Sequence, residues 1–418
     1  MKEDRMKKRV VITGMGAVTS LGHSVSQLWE AVKRGECGID RITHFDTTEY
    51  ACRIAAEVKD FDARAVIGKE ARKMDPFSQF AVASAIEAMR DAGLADGGVD
   101  PERLGVVIGN GIGGFETLED SFRTLFEKGP SRVAPLTIPK IIGNIAPGNI
   151  AMYFNAQGPC YTITTACSSG TDAIGEGLRL IREDEADVVI VGGTEAAITP
   201  LGIAGFIVIQ ALSTKYNDSP KKASRPFDKH RDGFVMGEGA GVLILESLEH
   251  AKARGARIHA ELAGYGMTCD AYHLTAPHPE GRGAVKAIQR ALGDAGLSPE
   301  DIDYVNAHGT STPLNDPIET RAIKQAFGEH AYKLKVSSTK SMTGHCIGAA
   351  GAIEAILSTM AIVDQFFPPT INQEEPDPEC DLDYVPNEGK KGRIRAAISE
   401  TFGFGGHNGV VVIKEYRE

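Results

Sequence analysis

The stretch YTITTACSSGTDAIGEGLRLI, residues 161–181, decides how the rest of the sequence is interpreted. Its β-branched start predicts a strand that ends just before Cys167, and apolar residues recur at helical spacing after it. Gly170, Gly175 and Gly177 would each cost that helix about 1 kcal/mol relative to alanine. The stretch therefore predicts a buried helix, packed closely against another backbone, with Cys167 at its beginning.

The position of Cys167 predicts a reactive thiol. A helix N-terminus presents unpaired N–H groups and partial positive charge, both of which favour a thiolate. Such a setting, or a neighbouring cation, lowers a cysteine pKa from about 8.5 into roughly the 3.5–7.5 range. The alternative interpretation of this segment is that Cys167 is one more small buried residue.

Composition narrows the class of protein. The chain has 418 residues and ordinary hydrophobic content. Its net charge of −11 argues against a general nucleic-acid or membrane-surface binder. Its seven cysteines contain no C-x-x-C pair, so neither a disulfide framework nor a zinc site is expected. The N-terminus is a poor signal peptide, and no apolar stretch of about 18 residues is evident. We therefore expect a cytoplasmic protein.

Short Val- and Ile-rich runs alternate with longer helical patterns, which predicts an α/β fold. A charged helix and a glycine lead into a new strand near Ile258, and this seam divides the chain into 1–257 and 258–418. Residues 161–181 and 334–362 both read as a strand, a polar turn and a helix of small residues. The two halves are therefore candidates for structural copies.

Two histidines in the second half are placed to work with the cysteine. His308 and His345 each follow a predicted strand, and ligands in α/β sheets gather beyond the carboxyl ends of strands. Glu354 is the one charged residue in an apolar helix, so it needs a partner. Lys340 is the candidate for that partner, and Glu319 is a further acid expected in the same network of charges. The alternative is an ion pair at a helix edge without a chemical role.

The C-terminal sequence SETFGFGGHNG, residues 399–409, surrounds Phe402 and Phe404 with glycines before a strand. Such a loop brings backbone N–H groups close to a substrate oxyanion and lets Phe404 swing, although an ordinary glycine-rich turn is the competing interpretation.

Two other patterns are weak. The G-x-G-x-x-G match at Gly109, Gly111 and Gly114 lacks the acidic residue that a dinucleotide site needs, and there is no P-loop. His273 and His278 have no further ligand at metal-binding spacing, so we expect no metal.

Five motifs together carry a resemblance that runs nearly end to end. They are TACSSG (165–170), RPFDKHRDGFVMGEGAG (225–241), VNAHGTSTP (305–313), SSTKSMTGHCIGAAGAIE (337–354) and FGFGGHNG (402–409). With them the chain resembles the β-ketoacyl-[acyl-carrier-protein] synthases of fatty acid synthesis, in particular the type II elongation class.

The resemblance implies an architecture and partners. The fold would be thiolase-like, with two similar halves stacked as five α-β-α-β-α layers, residues 1–257 carrying the nucleophile and 258–418 both catalytic histidines. It further implies a homodimer that meets acyl carrier protein, with no nucleic-acid or membrane partner. No cofactor is implied beyond the phosphopantetheine that the substrates carry.

The resemblance also assigns catalytic roles. Cys167 would accept an acyl chain, with its own N–H and that of Phe404 as the oxyanion hole. His308 and His345 would stabilise the enolate formed when malonyl carrier protein loses carbon dioxide, giving a 3-oxo product two carbons longer. Supporting charges would come from Lys340, Glu319 and Glu354.

Binding residues follow from the same resemblance. Substrate would be contacted by Ile112, Thr275, Thr310, Thr312 and Phe402. Carrier protein would dock on Lys69 and Lys73, although Gln210 stands where some relatives have Arg. Many members have Asn at the position of Glu400 and Thr at that of His407.

Four other functions compete with this one. A polyketide ketosynthase shares the active residues. A thiolase needs a second cysteine near the C-terminus, a cysteine hydrolase needs a water-activating carboxylate beside His308, and a non-catalytic length-determining subunit lacks the nucleophile.

Overall fold

The structure is a computed structural model that describes residues 7–418. Within that range it contains strands β1 (Val10–Thr19), β2 (Asp40–Arg41), β3 (Ile54–Ala55), β4 (Leu104–Gly109), β5 (Cys160–Ile163), β6 (Val188–Glu195), β7 (Gly239–Ser247), β8 (Ala260–Cys269), β9 (Tyr304–Asn306), β10 (Lys335–Ser337), β11 (Phe366–Phe367), β12 (Lys390–Lys391), β13 (Ala396–Gly403) and β14 (His407–Lys414). Seven of these, β1, β4, β6, β7, β9, β10 and β14, coincide with the Val- and Ile-rich runs of the sequence.

The α-helices of the described chain connect and cover these strands. They are α1 (Val25–Lys33), α2 (Ala63–Ile67), α3 (Pro76–Asp91), α4 (Phe115–Lys128), α5 (Thr137–Ile141), α6 (Ile145–Phe154), α7 (Ser169–Arg182), α8 (Pro200–Val208), α9 (Leu248–Ala253), α10 (Arg282–Ala295), α11 (Asn315–Phe327), α12 (Lys340–Thr343) and α13 (Ala350–Asp364).

The main sheet is built from two halves of identical topology. Ten strands run in the order β10-β9-β13-β14-β8-β1-β7-β6-β4-β5. Each half contributes five strands, which we count in sequence order. From the centre of the sheet outward they lie in the order first, fifth, fourth, second, third in both halves. The outer three strands of each half are parallel to one another, and the remaining neighbours within the half pair antiparallel. The halves join where β1 pairs with β8 over three residue pairs. The division between residues 257 and 258 stays a prediction.

Helices α7 and α13 lie between the half-sheets, since each contacts strands from both of them. Helix α3 covers the outer face of the first half-sheet, and α10 covers that of the second. This gives five layers. A Cβ added to Gly170 would lie 2.9 Å from the N atom of Ala352, and one added to Gly351 would lie 2.7 Å from the N atom of Thr171. Glycine is therefore needed where the central helices touch.

The stretch Ile347–Asp364 corrects one expectation from the sequence. It is long and apolar enough to cross a membrane by length and composition alone, although no such stretch was expected. Most of it is buried between the half-sheets, with residues such as Ile353, Ile356 and Leu357 in the largest core cluster. Its apolar character therefore reflects a position in the middle layer.

Candidate active site

A cavity of about 280 Å³ opens where the carboxyl ends of strands from both halves meet. The predicted residues that line it are Cys167, Thr275, His308, Thr310, Thr312, His345, Phe402 and Phe404. They come from five separate segments of the chain, so the sheet topology is what brings them together.

Cys167 and His345 are in direct contact at the bottom of this cavity. The Sγ atom of Cys167 lies 3.1 Å from Nε2 of His345. Cys167 sits in a single 3₁₀ turn, Ala166–Ser168, that leads into α7. Ala166 has a φ of +52°, a conformation uncommon outside glycine, and the turn aims the cysteine side chain away from the helix into the cavity.

The expected lowering of the cysteine pKa is wrong for the substrate-free protein. Burial raises the pKa of the Cys167 thiol to about 12, because desolvation outweighs the nearby Lys340 charge and the backbone donors. Only 8% of the residue is exposed. The resting nucleophile is therefore a neutral thiol beside an imidazole, and it must lose its proton during the reaction.

Two backbone N–H groups point at the sulfur. They belong to Cys167 itself and to Phe404, and both lower the pKa of the thiol. The loop carrying Phe404 approaches closely because residue 403 is glycine: a Cβ there would lie 2.7 Å from the Thr165 carbonyl oxygen. Two N–H groups converging on one point can stabilise negative charge on an oxygen bound next to the sulfur.

The two histidines are neutral at physiological pH. Burial lowers the pKa of both His308 and His345 well below the ordinary value, and Lys340 lowers each further. Their rings lie 5.4 Å apart, nearly perpendicular. Neither Nδ1 atom has a hydrogen-bond partner in the described part of the chain. A neutral imidazole carries one N–H, so each ring can offer one donor to a substrate oxygen in the cavity.

Behind the histidines, Lys340 forms a buried ion pair with Glu354. Burial raises the pKa of Glu354 to about 7, while Lys340 opposes that rise. The lysine also acts electrostatically on Cys167 and on both imidazoles. Lys340 does not line the cavity, but its positive charge favours the thiolate form of Cys167 and disfavours the protonated form of both histidines.

Glu319 fastens the loop that carries His308. Its carboxylate accepts the backbone N–H of His308 at 2.6 Å, that of Gly309 at 2.7 Å and the Asn315 side chain at 3.0 Å. Glu319 is fully buried, so these hydrogen bonds replace its lost hydration. The glutamate thus sets the position of the histidine backbone.

The remaining cavity walls divide into a polar and an aromatic side. The hydroxyl oxygens of Thr310 and Thr312 lie 3.0 Å apart, and Thr275 also lines the cavity. Phe402 packs edge-on against His308 with ring centres 5.6 Å apart. A polar arm with an apolar end would find suitable contacts on both sides.

Three predicted residues lie away from the cavity. Ile112 is 37% exposed and belongs to a loop whose N–H groups are held by Glu195. Lys69 and Lys73 lie on the surface, where Lys73 pairs with Glu70. None of these three side chains lines the cavity.

Sequence reasoning missed two aromatic residues of the site. Phe234 packs edge-on against His345 with ring centres 5.1 Å apart, and Phe206 lies 6.3 Å from Phe404. Both line the cavity. Phe234 falls inside the motif of residues 225–241, which was a signal for it, whereas Phe206 in α8 had none.

Comparisons with known proteins agree with this site. The family described as "Beta-ketoacyl synthase, N-terminal domain" matches residues 7–251, and "Beta-ketoacyl synthase, C-terminal domain" matches residues 259–374. The chain therefore belongs to the β-ketoacyl synthase family and is an acyltransferase of the condensing type.

Within that family the similarity to one class is high. The chain is 55% identical to a 3-oxoacyl-[acyl-carrier-protein] synthase 2 of Synechocystis, covering 98% of this chain and 99% of the relative. It is 52% identical to the protein of the same name in Coxiella burnetii, covering 97% and 98%. The resemblance to the type II elongation class is confirmed.

Solved structures confirm the thiolase-like fold. A type II polyketide ketosynthase in complex with its acyl carrier protein is 35% identical, with a TM-score of 0.91 and coverage of 99% of this chain and 100% of that one. A β-ketoacyl synthase from Burkholderia phymatum is 37% identical, with a TM-score of 0.91 and coverage of 98% and 100%.

Proposed function

We propose that this protein elongates acyl chains in fatty acid synthesis by condensing malonyl carrier protein with an acyl group held on Cys167. The observation that carries the proposal is the contact between the Cys167 sulfur and the His345 Nε2, with His308 beside them at the bottom of one cavity. The relatives that share more than half of its residues are named for this reaction.

In the first half-reaction the acyl group moves to sulfur. The Cys167 thiol gives its proton to the adjacent His345 nitrogen as the sulfur attacks the thioester carbonyl carbon. The N–H groups of Cys167 and Phe404 hold the resulting oxyanion, which collapses as the phosphopantetheine thiolate leaves and takes the proton back from His345. The acyl chain is then bound as a thioester to the enzyme.

The second half-reaction forms the carbon–carbon bond. The N–H groups of His308 and His345 donate to the thioester oxygen of malonyl carrier protein, and the malonyl carboxylate leaves as carbon dioxide while its electron pair becomes an enolate. That carbon attacks the acyl-enzyme carbonyl, and the C–S bond breaks. The products are a 3-oxoacyl carrier protein and the Cys167 thiolate, which regains a proton from solvent.

Neutral imidazoles suit this second step. A neutral imidazole carries its proton on either ring nitrogen, so Nε2 of His345 can take the thiol proton in one tautomer and donate to an oxygen in the other. The Lys340 charge favours this neutral state, as the direction of both histidine pKa shifts indicates. Lys340, Glu354 and Glu319 therefore act by positioning and by charge.

Acyl carrier protein is the proposed partner. Exposed apolar side chains lie at or beside the cavity wall: Leu314, which lines it, is 62% exposed, and Leu274, next to the lining residue Thr275, is 81% exposed. Lys69 and Lys73 supply the positive charge that an acidic carrier protein would meet, although Lys73 is already paired with Glu70. Thr275, Thr310 and Thr312 would contact the phosphopantetheine arm within the cavity.

A homodimer is the proposed assembly. Strand β5 is an edge strand of the main sheet. Its outer edge has no partner strand among the described residues, so it is free to pair with a second chain. Helix α6 packs beside it and exposes Met152, which is 72% accessible. Ile112 would become covered by such an interface. We expect Met152→Asp to lower the mass of the particle in light scattering from two chains to one.

We also propose a cytoplasmic setting with no resident cofactor. All seven cysteines, which lie within residues 7–418, are free thiols in the structure, as a reducing compartment would keep them. The chemistry above uses only side chains, backbone N–H groups and the arm that the substrate brings. The polyketide alternative is less well supported, because the elongation enzymes are more similar in sequence than the polyketide ketosynthase.

Intact mass spectrometry tests the proposal. Incubation with acyl carrier proteins of graded chain length should add one acyl mass to the wild-type protein. Cys269→Ser, which removes an exposed thiol, should be acylated like wild type, whereas Cys167→Ala should gain no mass. Addition of malonyl carrier protein should then release the acyl group as a 3-oxo product. No acylation from any donor would overturn the proposal.

A further inference from the structure

An acidic side chain lies buried in the helix that follows the nucleophile. Asp172, in the first turn of α7, is only 2% exposed. In the second half of the chain, Gly348 stands at the position that Cys167 has in the first. Five residues after each of them, Ile353 of the apolar core takes the position of Asp172. Because burial of a carboxylate is unfavourable, packing alone does not account for Asp172.

Two hydroxyl groups hold the Asp172 carboxylate. Thr165, which precedes the nucleophile turn, donates its O–H to Oδ2 at 2.6 Å. Tyr265, in β8, donates its O–H to Oδ1 at 2.8 Å. Burial raises the pKa of the Asp172 carboxyl, whereas these two hydroxyls and that of Ser168 lower it. The carboxylate therefore links the residue before the turn to α7 and to strand β8.

The turn between Thr165 and Asp172 has a strained backbone. The φ of +52° at Ala166 is unfavourable for a residue with a Cβ, and such a conformation persists only where the surrounding structure enforces it. The face of the turn toward the cavity is open to substrate and supplies no such constraint. On the other side, the N–H of Ser168 donates to the Thr165 carbonyl at 3.1 Å, and the Thr165 hydroxyl donates to Asp172. Fixing Thr165 therefore fixes the start of the turn that carries the sulfur.

The same threonine touches the loop of the oxyanion hole. A Cβ added to Gly403 would lie 2.7 Å from the Thr165 carbonyl oxygen and 3.1 Å from the N atom of Cys167. The loop that carries Phe404 is thus packed directly on the backbone of Thr165. A shift of Thr165 would move the sulfur relative to the N–H group of Phe404.

We propose that Asp172 is a positioning residue for Cys167: through the hydroxyl of Thr165 it holds the nucleophile turn and keeps the sulfur aligned with the two N–H groups of the oxyanion hole. The proposal rests on the function given above, since this alignment matters for transfer of the acyl group to sulfur. Asp172 does not line the cavity, so it acts only through the turn.

Substitutions at Thr165 separate the hydrogen bond from the packing. Thr165→Val keeps the shape of the side chain and removes its hydroxyl, whereas Thr165→Ser keeps the hydroxyl. Tyr265→Phe is the matched control, because it removes the other hydroxyl from the same carboxylate, on the side of β8. All three variants are first compared with wild type by circular dichroism and thermal melting to establish folding.

Single-turnover acylation of Cys167 is then followed by intact mass spectrometry. For Thr165→Val we expect the rate at saturating acyl carrier protein to fall by about 10- to 100-fold, because small displacements of a reacting group are costly. The half-saturating concentration should change by less than about 2-fold, since the cavity lining is intact. Acylation of Thr165→Ser and Tyr265→Phe, and malonyl decarboxylation by Thr165→Val, should stay within about 3-fold of wild type.

Asp172→Ala extends the test to the carboxylate itself. Its acylation rate should fall as far as that of Thr165→Val, and the double variant should be no slower than either, because both substitutions remove the same link. Additive losses, a Tyr265→Phe variant as impaired as Thr165→Val, or equal losses of acylation and decarboxylation would overturn the proposal.

Alkylation of Cys167 by iodoacetamide reports on the sulfur without any turnover. The thiol of Thr165→Val should be alkylated at least about 3-fold more slowly than that of wild type or Thr165→Ser, because it no longer lies against the His345 nitrogen that takes its proton. Peptide mass spectrometry assigns the modified cysteine. If wild type accepted no acyl group, the proposed function would fail. Equal alkylation rates of the Val and Ser variants would separately overturn the positioning role of Asp172.

Discussion

The turns that precede the two central helices have nearly the same backbone and opposite uses. Ala166 before α7 has a φ of +52°, and Ile347 before α13 has a φ of +46°. The next residue is Cys167 in the first turn and Gly348 in the second. A Cβ added to Gly348 would lie 2.4 Å from the N atom of Gly111, whereas the Cys167 side chain enters the cavity. The fold offers two equivalent positions, and packing leaves room for a nucleophile in only one.

The loops that follow β4 and β9 extend this comparison. In the first half, Glu195 accepts the N–H groups of Gly111 and Gly348, which seals the turn before α13. In the second half, Glu319 accepts those of His308 and Gly309, and the histidine faces the cavity. Each loop is held by its own buried glutamate, Glu195 in the first half and Glu319 in the second. Their difference shows that the chemistry depends on which side chain each anchored loop carries.

The largest effect should come from the turn that carries the sulfur. Cys167→Ala removes the atom that holds the acyl chain, so condensation should fall by at least about 1,000-fold. Decarboxylation of malonyl carrier protein should persist, because the histidines remain. Quantified carbon dioxide release and 3-oxoacyl product report the two activities. Condensation by the alanine variant above that level would show that the comparison of the two turns is mistaken.

The second-largest effect concerns the histidine loop. His308→Ala should lower decarboxylation by about 100- to 10,000-fold, since it removes a donor to the developing enolate oxygen. Acylation of Cys167 should change little, because His345 is the ring in contact with the sulfur. His230→Ala, at an exposed position, is the control and should match wild type. Equal loss of acylation would contradict the division of labour between the two rings.

The third prediction tests the closed turn. Gly348→Ala should destabilise the protein by about 3 kcal/mol, because its Cβ would press on the backbone of Asn110 and Gly111. Gly205→Ala is the matched control: no atom lies within 4 Å of its added Cβ, so stability should be unchanged or slightly higher. Urea unfolding monitored by circular dichroism measures both. A Gly348→Ala protein as stable as the control would mean that the second turn has room for a side chain.

Much of this site was predictable because its residues sit in local patterns. The cysteine after a strand, the two histidines after strands and the charged pair Lys340 and Glu354 each lie within a run of 15 residues or fewer. The glycine-rich helix predicted a close helix contact, which α7 makes with α13. The repeated strand, turn and helix also anticipated the matching strand orders of the two half-sheets.

The rest depends on tertiary burial, which local patterns do not encode. The sign of the Cys167 pKa shift was wrong because the helix terminus is visible in sequence and the dry surroundings are not. Phe206 lines the cavity, but its helix, α8, contains no sequence motif that indicated a functional site. Ile112 was expected in the substrate site, but its side chain does not line the cavity and is 37% exposed.

Buried carboxyl groups give the smallest predicted effect and the last contrast between the halves. In the second half Lys340 offsets the charge of Glu354, but in the first half Glu238 faces other acids, among them Glu57. The pKa of Glu238 is raised to about 8, mainly by burial and further by these acids. A carboxyl group whose pKa is higher in the folded state binds its proton more tightly there, so its contribution to stability is present at low pH.

That contribution should be lost as the pH rises through about 8. Between pH 6 and pH 8, the Glu238 share of the wild-type free energy of unfolding should therefore fall by about 1 to 2 kcal/mol. Glu238→Gln stays neutral and should remove that share of the pH dependence, whereas the exposed Glu249→Gln should decline with wild type. Chemical denaturation at both pH values measures the difference. If Glu238→Gln declined as steeply as wild type, Glu238 would already be ionised at pH 6, and the first half would hold a buried carboxylate beside His44, at 3.6 Å, where the second half uses a lysine.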